Sequence, residues 1–247
     1  AWVVYGWMGF SFLFFSVGVL FDIYAGLARL GSLPRLGPAG VFIVLTFISA
    51  GLWIMGFHSA WTPQVEHIVI RSDKLPAQAD GLRIAQISDV HLGVLIRQKK
   101  LEEILSRVRA LNPDILVSTG DLVDAQAHHL DGLSGLIAEY KPRFGKFAVN
   151  GNHESYVGLE HAVEFHERAG FRLLRGEHAE VAGIAMAGVD DPAVYNPHWS
   201  GRAPGAPPEL DEPAMLRRIN PDRFIVLLKH QPRIDKDSHF DLQLSGH

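Results

Sequence analysis

The chain contains no cysteine. Disulfides, thiolate metal sites and cysteine nucleophiles are therefore excluded, and the redox compartment stays open. Excess charge of either sign is also lacking: 23 Lys and Arg stand against 27 Asp and Glu, for a net charge of −4. Lysine and arginine do not cluster, so the electrostatic footprint of a nucleic-acid binder is missing and no nucleic-acid partner is expected. No internal repeat is visible, and repeat architectures drop out. What remains is 247 residues, 47% of them hydrophobic, enough for one sizeable α/β domain plus extra segments.

Charge is absent altogether from two long stretches, Trp2 to Phe21 and Pro38 to Phe57. Each reaches the roughly 20 residues a helix needs to cross the hydrocarbon core of a bilayer. Trp2, Tyr5, Trp7 and Tyr24 lie near the ends of the first stretch, and Trp53 and Trp61 near the end of the second, as interfacial aromatics do. Two such runs without a clear small-residue cleavage site argue against a signal peptide. Residues 1–60 thus read as a membrane region with two transmembrane helices, and 61–247 as a separate domain. Arg29 and Arg35 fall between the spans, while no Lys or Arg follows the second span before Arg71. By the positive-inside tendency the protein is multi-pass, with the later domain extracytoplasmic.

Beyond the membrane region, apolar runs alternate with helical periodicity. Strands are predicted at His67 to Arg71, Arg83 to Ile87, Ile115 to Thr119, Lys146 to Val149, Phe224 to Leu228 and Leu242 to Leu244. Apolar positions 101, 104, 105 and 108 predict a helix over 97–111, ended by Pro113. Residues 129–140 and 157–169 also read as helices. After Gly170 come short strands with tight turns, expected to be antiparallel, and then a Pro- and Gly-rich loop at 190–210 that holds Tyr195 and Trp199. Alternating strands and helices argue for a layered α/β core.

Polar clusters follow five of these strands: Ser88-Asp89-Val90-His91, Gly120-Asp121-Leu122-Val123-Asp124, Gly151-Asn152-His153-Glu154, Lys229-His230 and Ser245-Gly246-His247. Strand ends are where open α/β sheets place ligands. Carboxylate, imidazole and amide oxygen without thiolate suit first-row divalent cations, and Mn, Fe and Zn all fit. If strand geometry continues through residue 89, alternation puts Asp89 and His91 on one face. Gly120 lets backbone approach closely beside Asp121, and one carboxylate can bridge two cations. Each cluster alone has a plainer role: Asp121 and Asp124 as helix caps, Gly151-Asn152 as a turn, His230 as a buried histidine. Capping preferences do not readily produce all five together.

Their order and spacing resemble the calcineurin-like metallophosphoesterase family, and its bacterial membrane-associated branch in particular. The resemblance covers about 65–247 and includes Gly-Leu-Arg-Ile-Ala-Gln-Ile-Ser-Asp-Val-His-Leu-Gly at 81–93. It implies a four-layer αββα sandwich after the two transmembrane helices. It implies two divalent metal ions, one held by Asp89 and His91, a second by Asn152, His230 and His247, with Asp121 bridging and His153 as the catalytic imidazole. The family pattern has one more His, two residues after His247, so the resemblance leaves the first metal one ligand short and the domain truncated at its C-terminal end. The activity implied is hydrolysis of phosphate esters or phosphoanhydrides by a two-metal-activated hydroxide. The implied substrate is a phosphorylated small molecule or lipid, and relatives that cleave a UDP-linked diacylglucosamine make a lipid-linked or UDP-linked one the expectation. The rival is a catalytically degenerate, membrane-anchored protein that binds metal or senses; His153 argues against it.

Overall fold

Charge-free, apolar sequence leaves the backbone no polar side chains to compete with its own hydrogen bonds, and both such stretches are helical. α1 spans Trp2–Leu30 and α2 spans Pro38–Trp61. Pro38 starts α2 with its φ already preset for a helix. In this computed structural model, which describes residues 2–30, 36–124, 130, 132–195 and 211–247, the two helices form an antiparallel hairpin. Trp2 at the start of α1 meets Trp61 at the end of α2, ring centroids 5.0 Å apart, and Phe14 meets Phe42 at 5.9 Å. Phe12, Phe15 and Phe47 point outward, 70%, 72% and 74% exposed. Two helices so apolar outside are long enough to cross a membrane. Arg35, used above for orientation, lies outside the described residues.

The chain divides into two compact units, with the boundary along the sequence between His67 and Ile68. The strand predicted at His67 to Arg71 is not formed. Ile68 and Val69 are 73% and 78% exposed. β-propensity describes fit to a half-buried sheet surface, and without a partner strand alternation alone does not make a strand.

The second unit is built on two four-stranded sheets. The first contains β1 (Ile84–Ile87), β2 (Ile115–Ser118), β3 (Lys146–Ala148) and β4 (Arg172–Leu173), all parallel. The second contains β5 (Glu177–Val181), β6 (Ile184–Val189), β7 (Ile225–Lys229) and β8 (Leu242–Leu244). Only β5 and β6 are antiparallel; β6–β7 and β7–β8 are parallel. The expectation of antiparallel strands after Gly170 holds for β5 and β6 and is corrected for β4, which runs parallel to β3. A two-residue loop, Ala182-Gly183 with φ +50° and +84°, suits the β5–β6 hairpin. β4 instead follows a helix, and a long connection precedes β7. Such crossovers are what parallel neighbours require.

Three apolar layers show how the sheets stack. Ala85, Ile87, Leu116 and Ala148 face helices α3 (Gln98–Leu111), α4 (Leu133–Ala138) and α6 (Leu159–Arg168). The alternate residues Ile115, Val117 and Phe147 pack between the sheets against Met186, Val226 and Leu228. Ala185, Ala187, Ile225 and Leu227, on the far face of the second sheet, cover Met215 and Leu216 of α7 (Glu212–Leu216). Period-two alternation thus sorts each central strand into two layers, and the order is helix, sheet, sheet, helix. The fold is the expected α/β sandwich. The predicted 129–140 helix survives as α4. Of the 190–210 loop, Pro192–Tyr195 forms a single 3-10 turn, and Trp199 lies outside the described residues.

Candidate metal centre

The parallel strands deliver their C-terminal ends to one edge, and the polar clusters meet there. Asp121 follows β2 and lies at the middle of them, 3% exposed. Its Oδ2 is 3.2 Å from His230 Nε2, 3.9 Å from His91 Nε2 and 4.0 Å from His153 Nε2. Its Oδ1 accepts the His153 backbone N–H at 2.9 Å. Two sets of ligand atoms form around it, His91–Asp121–His153 and Asp121–His230–His247, each within 4.8 Å. Asn152 Oδ1 joins the second, 3.1 Å from His230 Nε2. Asp89 takes a different place: its carboxylate accepts the His247 backbone N–H at 3.0 Å and the Ser88 hydroxyl at 2.5 Å.

The backbone here is unusual. Asp89, His91, Asp121 and His247 all have φ between +51° and +71°. Left-handed backbone is costly for residues with a Cβ, and at functional sites it persists where the surroundings over-determine it. It also changes the reason Asp89 and His91 converge. β1 ends at Ile87, so strand alternation does not apply; a left-handed turn at each residue, held by Asp89 N–H to Gly120 O and His91 N–H to Asp121 O, aims the side chains. Gly120, φ +97°, fits because a Cβ there would come within 2.7 Å of both the Gly151 nitrogen and His230 Nδ1.

Glu154, given no part by the motif reading, organises the floor. It is fully buried and accepts backbone N–H groups from Asp121, Leu122, Val123 and Gly151 at 2.7–3.1 Å. A Glu three residues after a helix-capping position is the sequence signal for such an anchor. α5 (Asn152–Tyr156) starts there. Asp124 faces the same cleft: its Oδ1 lies 2.7 Å from His153 Nδ1, and its Oδ2 lies 3.6 Å from His91 Nδ1.

The donor set fits a cation. The Thr119 carbonyl, 2.9 Å from His230 Nδ1, can only accept, so Nδ1 carries a proton. In neutral His230 the Nε2 lone pair then faces Asp121 Oδ2, Asn152 Oδ1 and His247 Nδ1, the last at 3.2 Å. A carbonyl that fixes the tautomer so that the other ring nitrogen is a free donor is the usual support of a metal-bound histidine. Without a cation a proton takes its place. Burial opposes charge on His230, but the Asp121 carboxylate, the Thr119 carbonyl and Asp89 outweigh it and push its pKa up to about 9. Burial raises the Asp121 carboxyl, yet His230 and the His153 N–H hold it below its ordinary value. His91 Nδ1 is buried with no hydrogen-bond partner among the described residues and lies 3.6 Å from Asp124 Oδ2, while its Nε2 faces Asp121.

Residues 82–247, which carry every one of these side chains, match the calcineurin-like phosphoesterases. The chain belongs to that family. Members are phosphoester hydrolases that generally use divalent metals, and the convergent donors described above could hold them. An uncharacterised metallophosphoesterase of Aquifex aeolicus is 41% identical over 74% of this chain and 69% of its own length. A transmembrane protein with a metallophosphoesterase domain from Danio rerio is 31% identical over 96% of this chain, which spans 56% of that protein. Membrane association agrees with the two apolar helices. The 5'-nucleotidase precursor of Thermus thermophilus has a TM-score of 0.36 at 18% identity, covering 60% of this chain and 37% of that one.

Proposed function

We propose that this phosphoesterase binds two divalent cations and hydrolyses phosphate esters or anhydrides of a small molecule or lipid. The observation that carries the proposal is the position of Asp121, shared by two sets of convergent imidazole and carboxylate donors. In this reading Asp89 and His91 would hold one cation, Asn152, His230 and His247 the other, and Asp121 would be shared between them. When bound, the pair would grip phosphoryl oxygens and lower the pKa of a water.

The chain's own groups handle orientation and protons. His153 Nδ1 donates to Asp124 Oδ1 at 2.7 Å, which fixes the ring. Its Nε2 then turns toward the Asp121 side of the cleft, 4.0 Å from Oδ2. With Nδ1 so held, an Nε2 proton on His153 would be placed to pass to the departing ester oxygen. Asp121, buried and below its ordinary pKa, stays an anion and orders the donors around it. A phospholipid or nucleotide-linked lipid suits a site attached to two membrane helices. We place residues 1–60 in the membrane as a multi-pass anchor and residues 61–247, the phosphoesterase domain, on the extracytoplasmic side.

Turnover of bis-p-nitrophenyl phosphate and p-nitrophenyl phosphate by the detergent-solubilised chain, with and without Mn(II), tests the reading. Asp121→Asn is expected to lose metal and nearly all turnover. His153→Ala is expected to keep metal and lose turnover. Undiminished metal-dependent hydrolysis in both variants would sink the assignment.

A further inference from the structure

Two adjacent carboxylates outside the motif clusters, Asp190 and Asp191, leave the C-terminal end of β6 and are 5% and 2% exposed. Buried carboxylates are costly unless their oxygens are well supplied with donors. Asp190 Oδ2 takes the Arg175 Nε proton at 2.7 Å. Its Oδ1 takes the Asn150 side-chain amide at 2.7 Å and the Asn150 backbone N–H at 3.3 Å. The Asp191 N–H donates to Asn150 O at 2.9 Å, so both backbone groups of Asn150 are held by the pair. Asp191 Oδ1 takes the Ala193 N–H, and Oδ2 takes the Gln231 side-chain amide, both at 2.8 Å.

Asn150 and Gln231 each sit beside the metal centre. Asn150 precedes Gly151-Asn152, and Gln231 follows His230. The contacts therefore close a ring: His230, Gln231, Asp191, Asn150, Gly151, Asn152, and back to His230 across the 3.1 Å between Asn152 Oδ1 and His230 Nε2. Asn152 stands on the first sheet's side of the sandwich and His230 on the second's. We infer that Asp191 is a positioning residue that sets the spacing of Asn152 and His230 by tying Gln231 to Asn150. The inference rests on the two-cation reading given above.

A tether predicts a particular pattern of substitution. Asp191→Ala removes the acceptor that Gln231 uses and frees the His230 loop. Asp191→Asn keeps a hydrogen bond, because a Gln231 amide turned end for end presents its oxygen to the new amide N–H. Gln231→Leu breaks the same bond from the other end, at a partly exposed position where misfolding is less of a hazard. The measurement is Mn(II) affinity and stoichiometry of the full chain in detergent micelles, by electron paramagnetic resonance of free and bound Mn(II), with thermal unfolding of each metal-free variant alongside. The expected result is an affinity loss of about 10- to 100-fold in Asp191→Ala and in Gln231→Leu. Asp191→Asn is expected to stay within about threefold of wild type, the tether being kept. Equal losses in Asp191→Ala and Asp191→Asn would assign the effect to the buried charge and overturn the tether. Lower unfolding temperatures at unchanged affinity would overturn it too, in favour of a role in the fold alone. Wild-type protein that takes up no Mn(II) would remove the metal reading and the tether together, a result distinct from unchanged uptake by the variants.

Discussion

His153 Nδ1 and Asp124 Oδ1 lie 2.7 Å apart, joining the ends of two strand loops across the candidate metal centre. The contact leaves His153 one ring nitrogen for chemistry and turns it into the cleft. Asp124→Asn keeps the shape and removes the charge behind the imidazole. Turnover is expected to fall roughly 100-fold, within the range for general acid–base groups, with KM and metal content near wild type. Metal loss in parallel with turnover would instead show Asp124 to be a ligand.

Glu154 is a second point of leverage. Its buried carboxylate receives four backbone N–H groups from the loops that carry Asp121 and Asn152. Glu154→Gln replaces one acceptor oxygen by a donor that faces N–H groups already pointing at it. Hydrogen bonds to a charged group contribute about 1.5–3 kcal/mol each, so a loss of at least about 2 kcal/mol in urea unfolding of the domain is expected. A variant as stable as wild type would mean that water or a shifted loop replaces the anchor.

Metal uptake should depend on pH through His230. In the metal-free protein its pKa is pushed up to about 9 against Asp121, so at pH 7.5 a cation has to displace a proton. Apparent affinity should rise by up to about tenfold per pH unit toward pH 9 and level off above it. Calorimetry in buffers of different ionisation enthalpy should show about one proton released per site at pH 7.5. Linkage has the opposite sense for the metal-free fold. A raised pKa contributes stability that is complete below the unfolded value near ~6.5 and lost as pH rises through about 9. Adding metal should remove that loss.

Lys146, in the middle of the first sheet, gives a contrasting profile. Burial, followed by repulsion from Lys141, pushes its pKa down to about 8, while Nζ donates to Ile137 O and Ala169 O. Between pH 8 and roughly 10.4 the unfolded chain holds this proton more tightly than the folded one. Lys146 therefore makes stability rise with pH across that window. Lys146→Met should lower the slope of denaturant midpoint against pH between 8 and 10 relative to wild type. Identical slopes in both proteins would place the ammonium in water.

The sequence carried most of the ligand edge because strand ends in parallel sheets are local events. Ile87, Ser118, Ala148 and Lys229 end strands within a residue or two of the predicted limits, and each polar cluster follows at once. Other features depend on partners far away in the chain. The His67–Arg71 segment has strand composition but no partner strand among the described residues. The direction of β4 was set by the crossover through α6, not by its own short sequence. Asp89 and His91 converge through left-handed turns whose hydrogen bonds go to residues 120 and 121. The pair Asp190-Asp191 opens what reads as a loop, and its meaning appears only when Asn150 and Gln231 are brought beside it.

The meeting of Asp89 with His247 has a consequence for how the protein comes into being. These residues are 158 positions apart, and His247 follows β8 in the second sheet. A nascent chain that has made only the first sheet holds Asp89, His91 and Asp121 but neither His230 nor His247. In the proposed two-cation reading, the full donor set is therefore assembled only once the second sheet has docked on the first. Docking of the two sheets and completion of the donor set are then one event, so a variant that loosens the sheet-to-sheet layer of Val117, Phe147, Met186 and Val226 would weaken metal binding without touching a ligand.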